Sequence, residues 1–314
     1  MKANEKYMQK LPVVLFGAFI CSLLWGSAFP SIKIGYEWMR IASGDAASQI
    51  VYAGYRFTLA GILVILIGSV KQKRLLVPNK SETPKVVALS LFQTVGQYVF
   101  FYIGLAHATG VKSSIIIGTN AFVAILVASL IFRQERLTMR KVLGCILGFV
   151  GVMLVTLNGG GLDMDFRLLG EGFVFLSTVA YAFSSVYFKR FSRTSDAFLL
   201  SGYQFLAGGL IMSLAGLLAG GRVTGFTGKS VLLLVYMALI SAVAYTLWGI
   251  LLSYNPISRV AVFGFMNPVI GVILSALLLK EGEQALGVRS AAALALVCIG
   301  IWIVNGEKKE GETA

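Results

Sequence analysis

Apolar runs of about 20 residues recur along the whole chain, separated by short stretches rich in Gly, Pro or charge. That run length is what a helix needs to cross the hydrocarbon core of a bilayer. The pattern predicts ten helices, over 12–33, 48–70, 85–106, 112–132, 139–157, 169–189, 197–219, 230–251, 257–279 and 287–305. The connections read as loops, among them "VKQKRLLVPNKSETPK", "NGGGLDMDFR", "KRFSRTSD" and "GGRVTGFTGK". The first run, 13–32, is too long for a signal peptide and lacks a small-residue cleavage site, so it reads as the first span.

Composition agrees with this pattern. Of 314 residues, 57% are hydrophobic and 13% charged, and mean hydropathy is +0.82. Soluble domains carry about a quarter charged residues, so the sequence reads as an integral membrane protein. A net charge of +13 could suggest nucleic acid. The basic residues sit mostly in short loops, however, and membrane topology explains them better. With the N-terminus inside, 18 of the 27 Lys and Arg fall on inner segments and 8 on outer ones, Arg56 being the remaining one. The bias predicts a multi-pass protein of the plasma (inner) membrane with both termini cytoplasmic.

The chain repeats itself. Gly54, Tyr55, Phe57 and Gly61 in span two return as Gly202, Tyr203, Phe205 and Gly209 in span seven, an offset of 148 residues. "WGSAFPSIK" in span one faces "YAFSSVYFK" in span six, and Glu135 after span four faces Glu281 after span nine. "LGCILGFVGVMLV" in span five faces "AALALVCIGIWIV" in span ten. The chain therefore divides into residues 1–158 and 159–314. Five spans is an odd number, so the second repeat enters the membrane from the opposite face. The expected fold is all-α, with ten transmembrane helices as two inverted five-helix repeats around a central cavity. Alternating-access transporters are built this way, with the substrate site near mid-membrane at the repeat interface.

"LLWGSAFPSIK", "YRFTLAGIL", "LIFRQERLTMRKVLGCILGFVGVMLV" and "NPVIGVILSALLLKE" resemble the ten-span EamA-type members of the drug/metabolite transporter superfamily, over about 12–305. The resemblance implies the paired five-helix fold and movement of small metabolites, often export. That family often has proline in span four, where this chain has "TNAFVAI"; the matching half keeps it as Asn267–Pro268.

A transport site needs polar groups facing inward at mid-depth. Gln93 and Gln97 lie four residues apart on span three, on one helical face. Asn120 in span four, Asn267 in span nine, Tyr245 and Trp248 in span eight, Trp25 in span one and Tyr181 in span six complete an amide and aromatic lining. Gln204 in span seven joins it. Hydrogen bonding plus ring stacking suits a small polar or zwitterionic metabolite with a planar or apolar part. Amino acids or related compounds, moved outward, are the expected substrates, with uptake of a similar solute as the alternative. Each residue also has an ordinary role, since polar side chains bond across packed membrane helices and aromatic ones mark the interface.

Arg56 is the anomaly. At mid-depth an arginine costs roughly 2.5–3.5 kcal/mol on insertion scales. Eight residues into span two, it lies about 12 Å below the outer surface at 1.5 Å per residue. It either snorkels or bonds backbone, or it faces an outer vestibule and attracts a carboxylate or phosphate. Gln204 holds the matching place in span seven. His107, the only histidine, ends span three at the same vestibule, as an end-cap or a proton relay.

The 14 acidic residues all fall in loops or at span ends, with Glu171 expected at the interface. No carboxylate lies at mid-membrane, so facilitated diffusion or weak coupling is expected rather than proton antiport through a buried carboxylate. Cys21, Cys145 and Cys298 are scattered and form no CxxC, so neither a disulfide framework nor a metal site is expected. No cofactor is implied. A membrane enzyme would need a catalytic cluster that one His and the "DMD" at 163–165 do not assemble. Lipid flipping and a non-transporting packing role are weaker readings. The expected partners are a small-molecule substrate and the lipid bilayer, not nucleic acid, with the protein a monomer or homodimer.

Overall fold

A computed structural model describes residues 6–42, 44–108, 113, 116–156, 167–279 and 288–306. The described residues contain helices and no strand. Helix α1 spans Leu11–Trp38 and α2 Ala46–Gln72. Helix α3 runs through Thr83–Leu89, a π-helical stretch at Ser90–Gly96, and Gln97–His107. Helix α4 joins Asn120–Leu126 to a π turn at Val127–Ile131, and α5 is Met139–Thr156. Helix α6 starts with a π turn at Leu168–Gly172 and continues as Phe173–Phe191. Helices α7 and α8 are Ala197–Leu218 and Gly228–Tyr254. Helix α9 is broken into Ile257–Ala261, a 3₁₀ turn at Val262–Phe265, and Met266–Leu279. Helix α10 is Val288–Asn305.

Among the described residues, six helical stretches are long and apolar enough to cross a membrane: α1, α2, α3, α6, α7 and α8. Shorter apolar helices accompany them. Large apolar side chains lie exposed on the outside, such as Phe16 on α1, Leu66 on α2, Leu214 on α7 and Trp302 on α10. In water such a surface would aggregate; in lipid it is the solvated face. The Gly-rich stretch at 159–161, the "DMD" loop and Glu281 lie outside the described residues.

Local sequence explains the ends. Asp45 caps α2 by accepting from Ser48 N at 2.9 Å. Hydrogen bonds from Ser48 hold its carboxyl below the ordinary value. Asp196 caps α7 through Phe198 N and Leu199 N, and Thr227 with Ser230 forms a capping box on α8. Pro268 falls in the first turn of Met266–Leu279, where its missing N–H costs least. Span four breaks as well, without proline. Thr119 forms a turn before Asn120, with its hydroxyl donating to Ile116 O at 2.6 Å.

Small residues set the packing. Helices α2 and α7 cross in backbone contact. A Cβ at Gly54 would lie 2.9 Å from Gly209 O, and one at Gly61 would lie 2.7 Å from Gly202 O and 2.4 Å from Leu206 N. Helix α5 meets α10 the same way at Gly144 and Gly300. Helix α1 packs on α8 and α9, whereas α6 packs on α3 and α4. Side-chain bonds among the described residues fasten α1, from Cys21 Sγ to Ala244 O at 3.3 Å, from Ser22 Oγ to Phe263 O at 3.4 Å, and between the Ser27 and Tyr236 hydroxyls at 2.9 Å.

Candidate functional site

The aromatic residues expected to line a site meet where α1 crosses α8. The Trp25 ring stands edge-on to Tyr245 and to Trp248, each with centroids 5.0 Å apart. Tyr181, on α6, belongs to the same buried cluster as Trp248. From Tyr245 the rings continue inward. Phe205 of α7 lies 5.1 Å away edge-on, Phe57 of α2 stacks on Phe205 at 5.4 Å, and Tyr98 of α3 lies 4.5 Å from Phe57. The Tyr98 and Tyr245 hydroxyls share a short hydrogen bond. One chain of rings thus joins α1, α2, α3, α7 and α8.

Arg56 stands beside this chain of rings. It is 3% exposed. Its Nε donates to Ser241 Oγ at 2.8 Å and to Met237 O at 3.2 Å, both on α8. Its guanidinium carbon is 5.2 Å from the Phe57 ring centre. Arg56 therefore bonds backbone, as one of the two sequence readings held, but no carboxylate among the described residues pairs with it. Gln204, its counterpart in the repeat, is fully buried. There Thr94 Oγ1 donates to Gln204 Oε1 at 2.6 Å.

The amides are placed as follows. Gln93 is buried in the π-helical stretch of α3, and Gln97 is half-buried where the α-helix resumes. Asn120 and Asn267 are half-buried at the first turns following the breaks in α4 and α9. For each of Gln93, Gln97, Asn120, Gln204 and Asn267, one amide atom is buried without a hydrogen-bond partner in the protein, as is the Trp25 indole N–H. Leaving such a group unpaired costs roughly 1–3 kcal/mol. His107 is exposed at the end of α3, its Nδ1 2.8 Å from Ile103 O of the preceding turn. Glu171, expected at the interface, is buried and accepts from Arg167 N at 2.9 Å at the start of α6.

Sequence reading did not name Tyr98 or Tyr102, and it took Phe57 and Phe205 only as matching positions of the repeat. Phe100 packs on Phe173 of α6. The missed signal was spacing, since Tyr52–Arg56 and Tyr98–Tyr102 are both pairs four residues apart, on one helical face. No group of three or more metal-binding side chains occurs among the described residues.

The model of the EamA-like transporter family matches residues 12–157 and again 168–306. An uncharacterized transporter of Archaeoglobus fulgidus is 30% identical over 294 residues, covering 89% of this chain and 94% of its own. A probable amino-acid metabolite efflux pump of Salmonella typhimurium is 25% identical, covering 92% and 93%. An uncharacterized inner membrane transporter of Escherichia coli K12 is 27% identical, covering 96% and 92%. One crystal structure shares the fold with a TM-score of 0.76 at 18% identity, over 94% of this chain and 96% of that one.

Proposed function

Because the chain belongs to the EamA-like transporter family, we propose that it exports small polar or zwitterionic metabolites, amino acids or related compounds, by alternating access of two inverted five-helix halves. It is a multi-pass membrane protein and a transporter, not an enzyme. Three findings support the halves. The family model matches twice, once on each. Glycines that correspond in the repeat exchange partners at the α2–α7 crossing, Gly54 with Gly209 and Gly61 with Gly202, as a two-fold arrangement requires. The packing of α1 on α8 and α9 is mirrored by that of α6 on α3 and α4.

The observation that carries the substrate reading is the seam itself. Trp25 comes from α1 and meets Tyr245 and Trp248 of α8, while the amides of Gln93, Gln97, Asn120, Gln204 and Asn267 and the indoles of Trp25 and Trp248 hold unpaired polar atoms inside an apolar bundle. A solute with polar ends and a flat or apolar body would pair those atoms and lie against those rings. The efflux name of the Salmonella relative favours outward movement. The test is to overexpress the chain in a bacterial host and compare metabolites inside and outside the cell. At least one amino-acid-like solute is expected to rise several-fold outside with the native chain, and to stay at the control level with Gln97→Ala. Accumulation inside would reverse the direction. No change in any solute would sink the reading.

A further inference from the structure

We infer that the substrate carries a single carboxylate, and that Arg56 is its anchor. The inference deepens the transport reading and rests on it.

The repeat provides an internal control for what this position must do. Gln204 on α7 pairs with a hydroxyl on α3, that of Thr94. Arg56 on α2 pairs with a hydroxyl on α8, that of Ser241. A neutral amide thus performs the helix-to-helix bond in one half. The bond to Ser241 occupies only Nε of Arg56, so the charge and the two terminal nitrogens exceed what packing asks of the site. Arg56 as a whole is 3% exposed, and no carboxylate among the described residues pairs with it. A buried charge is ordinarily paired, because desolvating it alone is expensive. The bonds to Ser241 Oγ and Met237 O soften that penalty without cancelling it. The missing negative charge is one the substrate can bring.

The chemistry narrows further. Two free terminal nitrogens of a planar guanidinium match the two oxygens of a carboxylate. Arg56 brings one positive charge, so a monoanion is neutralised there and a phosphate dianion is not. The Phe57 ring lies 5.2 Å from the guanidinium carbon, and Tyr98 and Phe205 adjoin Phe57, so the body of the acid would meet an apolar wall.

The test uses purified full-length protein and two pairs of probes that differ in the charged group, benzoate with benzamide and phenylalanine with phenylalaninamide. Calorimetric titration of the native chain is expected to show each acid binding at least about tenfold tighter than its amide. Arg56→Gln, which copies the other half, should erase that preference by weakening the acid alone. Arg56→Lys should keep part of it, as a point charge without the fork. Monodisperse elution of each variant checks its fold, and the native comparison stands even if Arg56→Gln does not fold. A native chain without preference for either acid, or an Arg56→Gln chain that keeps the preference, overturns the inference. Inorganic phosphate displacing benzoate as well as acetate does would overturn the choice of carboxylate. Failure of the transport reading would appear separately, as an absence of export from cells.

Discussion

Gly61→Leu is expected to yield no stably folded protein. The α2–α7 crossing leaves no room at this position for any side chain. A Cβ at Gly61 would lie 2.4 Å from Leu206 N, 2.7 Å from Gly202 O and 2.8 Å from Leu206 Cα, all of them backbone atoms. A flexible side chain could rotate away; a helix backbone can only move as a whole. Even Gly61→Ala must push the two helices apart, at about 1–3 kcal/mol, against a helix-propensity gain of up to about 1 kcal/mol. In lipid the loss is sharper than it would be in water. Apolar surface gains little by leaving hydrocarbon, so close contact itself holds the helices together. Gly228→Ala is the control, since a Cβ there meets nothing within 4 Å, and a change within about 0.5 kcal/mol is expected. Thermal unfolding in detergent reads all three. Native-like melting of Gly61→Leu would show that α2 and α7 do not depend on this contact.

The glycines of that crossing were legible in the sequence as a repeat, although the contact between α2 and α7 was not, and the reason is physical. A glycine kept at matching places in two apolar runs has few uses other than letting backbones approach, so Gly54, Gly61, Gly202 and Gly209 announced a shared role. The helices were legible for a similar reason, because lipid imposes long apolar runs whatever the packing. Helix pairing leaves a weaker trace. Apolar residues facing lipid and apolar residues facing another helix look alike, as exposed Leu66 and buried Val64 of α2 do. Tyr98 and Tyr102 therefore went unnoticed, although Trp25, Tyr245 and Trp248 were named as part of an aromatic lining. Ser241, which holds Arg56, lies 185 residues away, beyond the reach of any local pattern. The π-helical stretch carrying Gln93 and Thr94 was hidden too, since its residues read as ordinary helix formers.

Glu135 shows the same limit and yields the other large effect. Its sequence neighbourhood suggests local pairing, and it does bind Lys141 at 2.9 Å, with both side chains at most 10% exposed. Lys141 also donates to Arg136 O. The carboxylate reaches further, however. Its Oε1 accepts from Ser258 N at 3.1 Å and its Oε2 from the Ser258 hydroxyl, 123 residues away at the start of α9. An acid in the α4–α5 connection thus caps the start of α9, where the backbone N–H groups and helix dipole favour negative charge. Lys189 of α6 feels the same carboxylate and donates to Asn255 O, while Asn255 Nδ2 donates to Met8 O. Replacing Glu135 leaves Lys141 buried without its counter-charge, and such a break typically costs about 3–5 kcal/mol. Glu135→Gln is expected to lose stability on that scale. Adding Lys141→Met should recover most of the loss, because the stranded charge is then gone. The remaining deficit measures the cap on α9, the helix that carries Asn267, and Ser258→Ala alone should reproduce only its hydroxyl part. A double-mutant cycle in thermal unfolding separates the two contributions. If Glu135→Gln melted with the native chain, the carboxylate would not be what ties the α4–α5 connection to α9.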